Sequence, residues 1–242
     1  MSRSGARDLL DGIDLLVFDK DGTLIEFHLM WGNWVEELAN RLERASGLAL
    51  RDRLYPLLGV DRSTGFVQAH GLLAATPMSR IRDVVQADVA EAGATPDDAA
   101  AAVAAAWHAP DPVALAHPVT NLPKLLDGLR ARVRTFAVAT SDDRDPTERT
   151  LAALGIRERF AELVCADDGI RTKPSPDPVL HLCRTLGVPP ERTAVVGDSP
   201  ADLLMGRGAG AARSIAVLTG VGDRDALEPY ADALIASIAE LA

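Results

Sequence analysis

The chain predicts an α/β fold, a doubly wound parallel sheet interrupted by an inserted helical segment. Three observations predict it. Short apolar runs alternate with helix-patterned segments from residue 133 onward. One further apolar run stands alone near the start, at 13–18. The long stretch between the two carries helical periodicity. Strands alternating with helices bury both faces of a sheet, which is the condition for parallel order.

The first strand is expected over 13–18 (IDLLVF). The later series begins with VRTFAVAT (133–140) as a strand, followed by a helix over 144–154 that ends near Gly155. ELVCA (162–166) reads as the next strand, and 176–186 as a helix before Gly187. TAVVG (193–197) is a strand and 200–209 a helix, with SIAVL (214–218) and DALIA (232–236) as further strands. In the insert, Trp31, Trp34, Val35, Leu38, Leu42 and Ala45 share one helical face, as do Met78, Ile81, Val84, Val85 and Val89. Trp31, Trp34 and Trp107 are expected in its core. A third insert helix opens at Thr95 as N-cap, with Pro96 in the first turn and two aspartates facing the dipole. Segments 26–32 and 108–118 read as hinges, so 28–115 form a helical domain and 1–27 with 116–242 the α/β core.

Composition narrows the function. Of 242 residues, 48% are apolar and 25% charged, a globular profile. The net charge of −10 makes nucleic acid and anionic membranes poor partners. Cys165 and Cys183 form no Cys-x-x-Cys pair and read as buried, reduced core residues. The opening MSRSGARDLLDGID lacks an apolar signal-peptide core, and no apolar run is long enough to span a bilayer. A cytoplasmic protein is expected. Monomer and homodimer are equally compatible with the sequence.

The chemistry gathers at strand ends, where ligands bind in doubly wound sheets. Four predicted ends carry polar groups: Asp19-Lys20-Asp21-Gly22-Thr23, Thr140-Ser141-Asp142, Lys173-Pro174, and Gly197-Asp198-Ser199-Pro200-Ala201-Asp202. On an extended backbone Asp19 and Asp21 would share a face and Lys20 would point away. Asp19, Asp21 and Asp198 meeting at one point would repel unless a hard divalent cation such as Mg²⁺ joined them. Thr140 and Ser141 offer a hydroxyl and amide N–H groups to phosphate oxygens, and Lys173 a point charge. Such a set is suited to phosphoryl transfer through an aspartyl-phosphate. Ser199 through Asp202 also reads as a capped helix start, and Ser175-Pro176 as another. Asp142, Asp143 and Asp145 read as a solvated run at a helix N-terminus. His28 lies on the first hinge, and Arg62 sits in a loop at 59–65 where it could meet an anionic leaving group.

These four motifs, in this order, resemble the haloacid dehalogenase (HAD) superfamily of phosphohydrolases, and most of all its phosphoglycolate phosphatase-like branch with a helical cap. The resemblance implies a HAD-like Rossmannoid core beneath a cap. It implies Asp19 as nucleophile and Asp21 as the group that protonates the leaving alkoxide and then activates water. It further implies Mg²⁺ held by Asp19, Asp198 and the carbonyl of Asp21, phosphate bound by Thr140 and Ser141, and Asp202 supporting Lys173 or the metal. Dehalogenases of the superfamily lack the second aspartate, so Asp21 favours a phosphatase acting on a small phosphorylated metabolite. A phosphomutase or phosphotransferase of the same superfamily, or a phosphate-binding regulatory module without activity, are the alternatives.

Overall fold

The computed structural model describes residues 9–68, 71–75, 78–108, 111 and 113–242. Part of the opening segment (1–8) and part of the second expected hinge (109, 110 and 112) lie outside these residues. The chain divides into two compact units, Met1–Phe27 with Pro112–Ala242, and His28–Asp111.

The first unit is built on six strands: β1 (Leu15–Phe18), β2 (Thr135–Ala139), β3 (Glu162–Val164), β4 (Thr193–Gly197), β5 (Arg213–Val217) and β6 (Ala233–Ile235). They lie in the order β3-β2-β1-β4-β5-β6, and all neighbours run parallel. Chain progression reverses direction across the sheet between β1 and β4, so the switch point falls there.

Both sheet faces are covered. Leu16, Phe18, Phe136, Val138, Ala194 and Val196 point into one core with Leu122, Leu126 and Phe160. Leu15, Val17, Ala137, Ala139 and Val195 point into the other with Val179, Leu182, Cys183 and Met205. That is why the strands read as continuous apolar runs rather than alternating ones. Helices Arg144–Ala153, Asp177–Leu186 and Pro200–Ala209 stand close to their expected positions. The helix Leu122–Leu129 and the short turn Arg224–Leu227 are additional to the sequence reading. Leu122, Leu125, Leu126 and Leu129 are buried from the former, with Asn121 accepting from the Lys124 N–H as its cap. Cys165 and Cys183 are both buried and free.

The second unit is helical: Phe27–Ser46, Arg51–Leu58, Leu72–Ala75, Met78–Glu91 and Pro96–Ala106, with an isolated antiparallel bridge between Val60 and Val67. The first helix begins at Phe27, so the segment read as a hinge at 26–32 is mostly helix. Met30, Trp34, Val35, Leu38, Ala39 and Leu42 are its buried residues, while Ala45 is exposed beyond the end of the apolar stripe. Trp34 meets Trp31 and Trp107 edge-on at 5.8 and 5.6 Å between ring centroids. Thr95 caps Pro96–Ala106 by accepting from the Asp98 N–H. His28 stacks on Phe66 and accepts the Val67 N–H, and Arg62 pairs with Asp52.

Candidate active site

β1 hands its alternation directly to the site. Leu15 and Val17 face the core that contains the helices after β3 and β4, and Asp19 continues that pattern. The Asp19 N–H donates to the Val196 carbonyl at 2.9 Å, extending the β1–β4 ladder by one bond. There the extended backbone stops. The N–H groups of Leu24 and Ile25 both donate to the Lys20 carbonyl, at 2.9 and 3.1 Å, and the Gly22 N–H donates to Ile25 at 2.8 Å. The turn needs φ of 88° at Gly22, a region that L side chains avoid.

β4 delivers Asp198 next to Asp19, because Phe18 pairs with Val196 across the switch point. The segment after β5 then closes over Asp198. Its carboxylate accepts the Val221 N–H at 2.8 Å, its carbonyl accepts the Gly222 N–H at 2.9 Å, and Thr219 donates to the Gly22 carbonyl. A Cβ at Gly220 would run into the Asp198 carboxylate, so this close approach requires glycine.

Lys173, from the loop before Asp177–Leu186, projects its ammonium between two carboxylates. It donates to Asp19 Oδ1 and, at 2.6 Å, to Asp202 Oδ1. Asp202 is 1% exposed and engaged at both oxygens. Its Oδ2 accepts from the Ser199 hydroxyl at 2.6 Å and the Ser199 N–H at 3.1 Å, which completes a capping box on Pro200–Ala209. One oxygen each from Asp19, Asp198 and Asp202 lies within 4.8 Å of the others.

The electrostatics follow from burial. Desolvation raises the Asp19 pKa to about 7, with Lys173 opposing and Asp202 reinforcing the rise. Burial, then Asp19 and Asp202, push Asp198 well above the usual carboxylate range. Burial disfavours the charged form of Lys173, but Asp19 and Asp202 outweigh it and its pKa rises. Among the described residues Lys173 is the ammonium paired with this trio, so with all three carboxylates ionised the group would carry excess negative charge. A hard divalent cation suits such an oxygen donor set and would restore the ionised forms.

A family profile for haloacid dehalogenase-like hydrolases matches residues 13–210. The chain belongs to that family. This hydrolase is 32% identical over 197 residues to a phosphoglycolate phosphatase of Rhodospirillum rubrum, covering 81% of this chain and 76% of the relative. It is 37% identical over 130 residues to a phosphoglycolate phosphatase of Chromobacterium violaceum, where the match covers 52% of this chain and 57% of the relative's length. A crystal structure of a HAD-superfamily hydrolase, subfamily IA, variant 1, from Geobacter sulfurreducens superposes with a TM-score of 0.64. That likeness covers 95% of each chain at 19% identity, and it carries the fold alone.

Within this hydrolase the structure brings Asp19, Lys173, Asp198 and Asp202 into one buried group. Thr140 is 6% exposed at the end of β2, its hydroxyl accepting the Asp142 N–H at 3.2 Å, and Ser141 follows it exposed on the loop. The Asp21 carboxylate stands outside the carboxylate trio. It is held by Lys20, whose ammonium donates to its two oxygens at 2.7 and 2.8 Å. The expectation that Lys20 points away is therefore corrected. Alternation holds only while the backbone is extended, and here it turns at Lys20. Lys20 also pairs with Asp142 at 2.8 Å, so Asp142 is not a purely solvated helix-start acid. Asp143 and Asp145 do occupy the cap and first turn of Arg144–Ala153. Residues 219–222 were missed from the site. The signal was a Thr-Gly-Val-Gly run directly after a predicted strand.

Proposed function

We propose that this hydrolase is a Mg²⁺-dependent phosphatase that cleaves a small phosphomonoester through phospho-Asp19. The observation that carries the proposal is the Lys173 ammonium shared between Asp19 and Asp202, with Asp198 in the same buried group. An ammonium at the nucleophile opposes the protonation that burial favours and offers charge to a phosphoryl oxygen. Asp202, saturated by Lys173 and Ser199, serves to hold that ammonium in place.

Asp19 attacks phosphorus, the bond to the leaving alkoxide breaks, and Asp21 gives that oxygen its proton. Asp21 then takes a proton from the water that attacks the phosphorus of phospho-Asp19. Inorganic phosphate departs and the Asp19 carboxylate is restored. The Thr140 hydroxyl and Ser141 amide hold the phosphoryl oxygens in line, where positioning supplies much of the rate. Asp19, Asp198 and the main-chain carbonyl of Asp21 would hold Mg²⁺, and when bound it neutralises charge on the phosphoryl oxygens.

Residues 28–115 are the cap domain, and 1–27 with 116–242 the catalytic core, a division supported by the place of the helical segment in the chain between β1 and β2. The substrate is phosphoglycolate-like or sugar-phosphate-like, as the names of the relatives suggest: phosphoglycolate phosphatases, and an N-acetylmuramic acid 6-phosphate phosphatase of Pseudomonas aeruginosa. A cytoplasmic location fits a chain whose described helices include none long and apolar enough to cross a membrane.

A phosphate-release panel with Mg²⁺ over short phospho-acids, sugar phosphates and nucleotides tests the proposal. Release from a short phosphoester, lost on adding a chelator and absent in Asp19→Asn, is expected. Isomerisation of a sugar phosphate without free phosphate would establish a mutase instead. No release across the panel would overturn the phosphatase reading.

A further inference from the structure

Lys20 is a second buried ammonium beside the site, and the mechanism above makes no use of it. It is 2% exposed. Its three protons are accounted for: two contacts to the Asp21 carboxylate at 2.7 and 2.8 Å, and one to Asp142 Oδ2 at 2.8 Å. A buried charge costs several kcal/mol of desolvation even when paired, and a well-packed apolar residue of similar volume is commonly as stable or more so. Folding alone therefore gives little reason for a lysine at this place. Its geometry gives one.

The two acids it grips belong to different loops. Asp21 lies in the turn after β1 and Asp142 in the loop after β2, and these strands are neighbours in the sheet. Asp142 in turn donates its N–H to the Thr140 hydroxyl, so the ion pair reaches the end of β2 where phosphate is read to bind. Asp21 is partly exposed, with 21% of its side chain accessible, and its carboxylate would otherwise be free to rotate. We propose that Lys20 is a positioning residue that fixes the Asp21 carboxylate against the 140–142 loop, so that the proton donor and the phosphate-binding loop are held in one geometry. This rests on the reading of Asp21 as the acid and base of the reaction.

Two variants and two substrates test it. Lys20→Met keeps volume and removes the clamp. Asp142→Asn loosens it from the exposed side, where the fold is not at risk, since 44% of the Asp142 side chain is accessible. The readout is kcat/KM, which reports on steps through departure of the leaving group. An alkyl phosphomonoester needs a proton on its leaving oxygen, whereas 4-nitrophenyl phosphate hardly does. A positioned general acid is worth about 10²–10⁴-fold, so Lys20→Met should lower kcat/KM for the alkyl ester by about 10–100-fold and for the aryl ester by less than about threefold. Asp142→Asn should shift the same ratio in the same direction by less, and the double variant should be no worse than Lys20→Met. Equal losses on both esters would show mere structural support and overturn the proposal, as would wild-type ratios. Absence of activity in the wild type would instead sink the phosphatase reading. In that event a crystal structure of Lys20→Met decides: an Asp21 carboxylate that has swung away from residue 142 sustains the positioning role, and one that has not moved refutes it.

Discussion

Gly220 offers the sharpest mutational test, because the smallest possible addition lands on the carboxylate proposed to hold Mg²⁺. In Gly220→Ala the new methyl would overlap Asp198, and its nearest neighbours there are the Oδ2, Cγ and Cβ atoms of that side chain. Asp198 has little room to yield, being 3% exposed and pinned by the Val221 N–H. Overpacking of this kind costs about 1–3 kcal/mol. For a chain of this length that lowers the melting temperature by about 2–12 °C. Relief requires Asp198 or the 219–222 segment to shift by about an ångström, and a misplacement of that size costs about 10²-fold in rate. Gly128→Ala is the matched control. It is an exposed helical glycine with open space where the Cβ would go, so the same substitution should stabilise by about 0.5–1 kcal/mol and leave turnover alone. Thermal melts and Mg²⁺-activation curves on both variants provide the comparison. A Gly220→Ala enzyme with wild-type melting temperature and wild-type Mg²⁺ response would refute the reasoning.

Two further predictions concern pH and stability. Asp168 accepts two hydrogen bonds from Arg144, at 2.9 and 2.7 Å, and one from the Cys165 N–H at 2.7 Å. The Arg144 bonds hold its pKa below the usual carboxylate value against the opposing effect of burial. A depressed carboxylate stabilises the fold above its unfolded pKa and loses that contribution as pH falls through the folded one. Asp168→Asn should therefore destabilise by about 1–2 kcal/mol at neutral pH, allowing for solvent screening of the half-exposed arginine, and the gap to wild type should close below the ordinary carboxylate range. Melting curves at successive pH values check this, and a gap that persists in acid would contradict it. In the helical unit, burial and then the Glu36 carboxylate push the Tyr55 phenol up to about 12. A raised phenol pKa gives stability that is complete below the unfolded value of about 10 and lost as pH climbs toward 12. Tyr55→Phe should remove that alkaline loss, and an unchanged alkaline limb in denaturant titrations would count against the Glu36 pairing.

Much of this architecture is legible in the residues. The strands show because both faces are buried, so runs such as TAVVG are buried throughout and apolar at every position after Thr193. Asp19 and Asp198 are legible because charges at the ends of such runs have few structural uses, whereas Lys173, in the loop between β3 and Asp177–Leu186, is legible only through Pro174 and its place in the order of the motifs. Other features are hidden for physical reasons. Leu122–Leu129 is an eight-residue helix whose apolar face follows a Pro-rich stretch, which masks its onset. Arg51–Leu58 contains Pro56, which sequence rules treat as a breaker although it sits in the last turn. The Lys20 clamp is invisible to alternation because it depends on where the backbone stops being extended. The hold of 219–222 on Asp198 joins segments more than twenty positions apart, a proximity that strand periodicity does not encode.

The central claim is that Asp19 takes up the phosphoryl group. Borohydride reduction of enzyme quenched during turnover, followed by peptide mass spectrometry, tests it most directly, since an acyl phosphate at that carboxylate is reduced to the alcohol. Conversion of residue 19 to homoserine, dependent on substrate and Mg²⁺ and absent when substrate is withheld, is the predicted result. Steady phosphate release with residue 19 unmodified, or with the label on another carboxylate, would contradict the account.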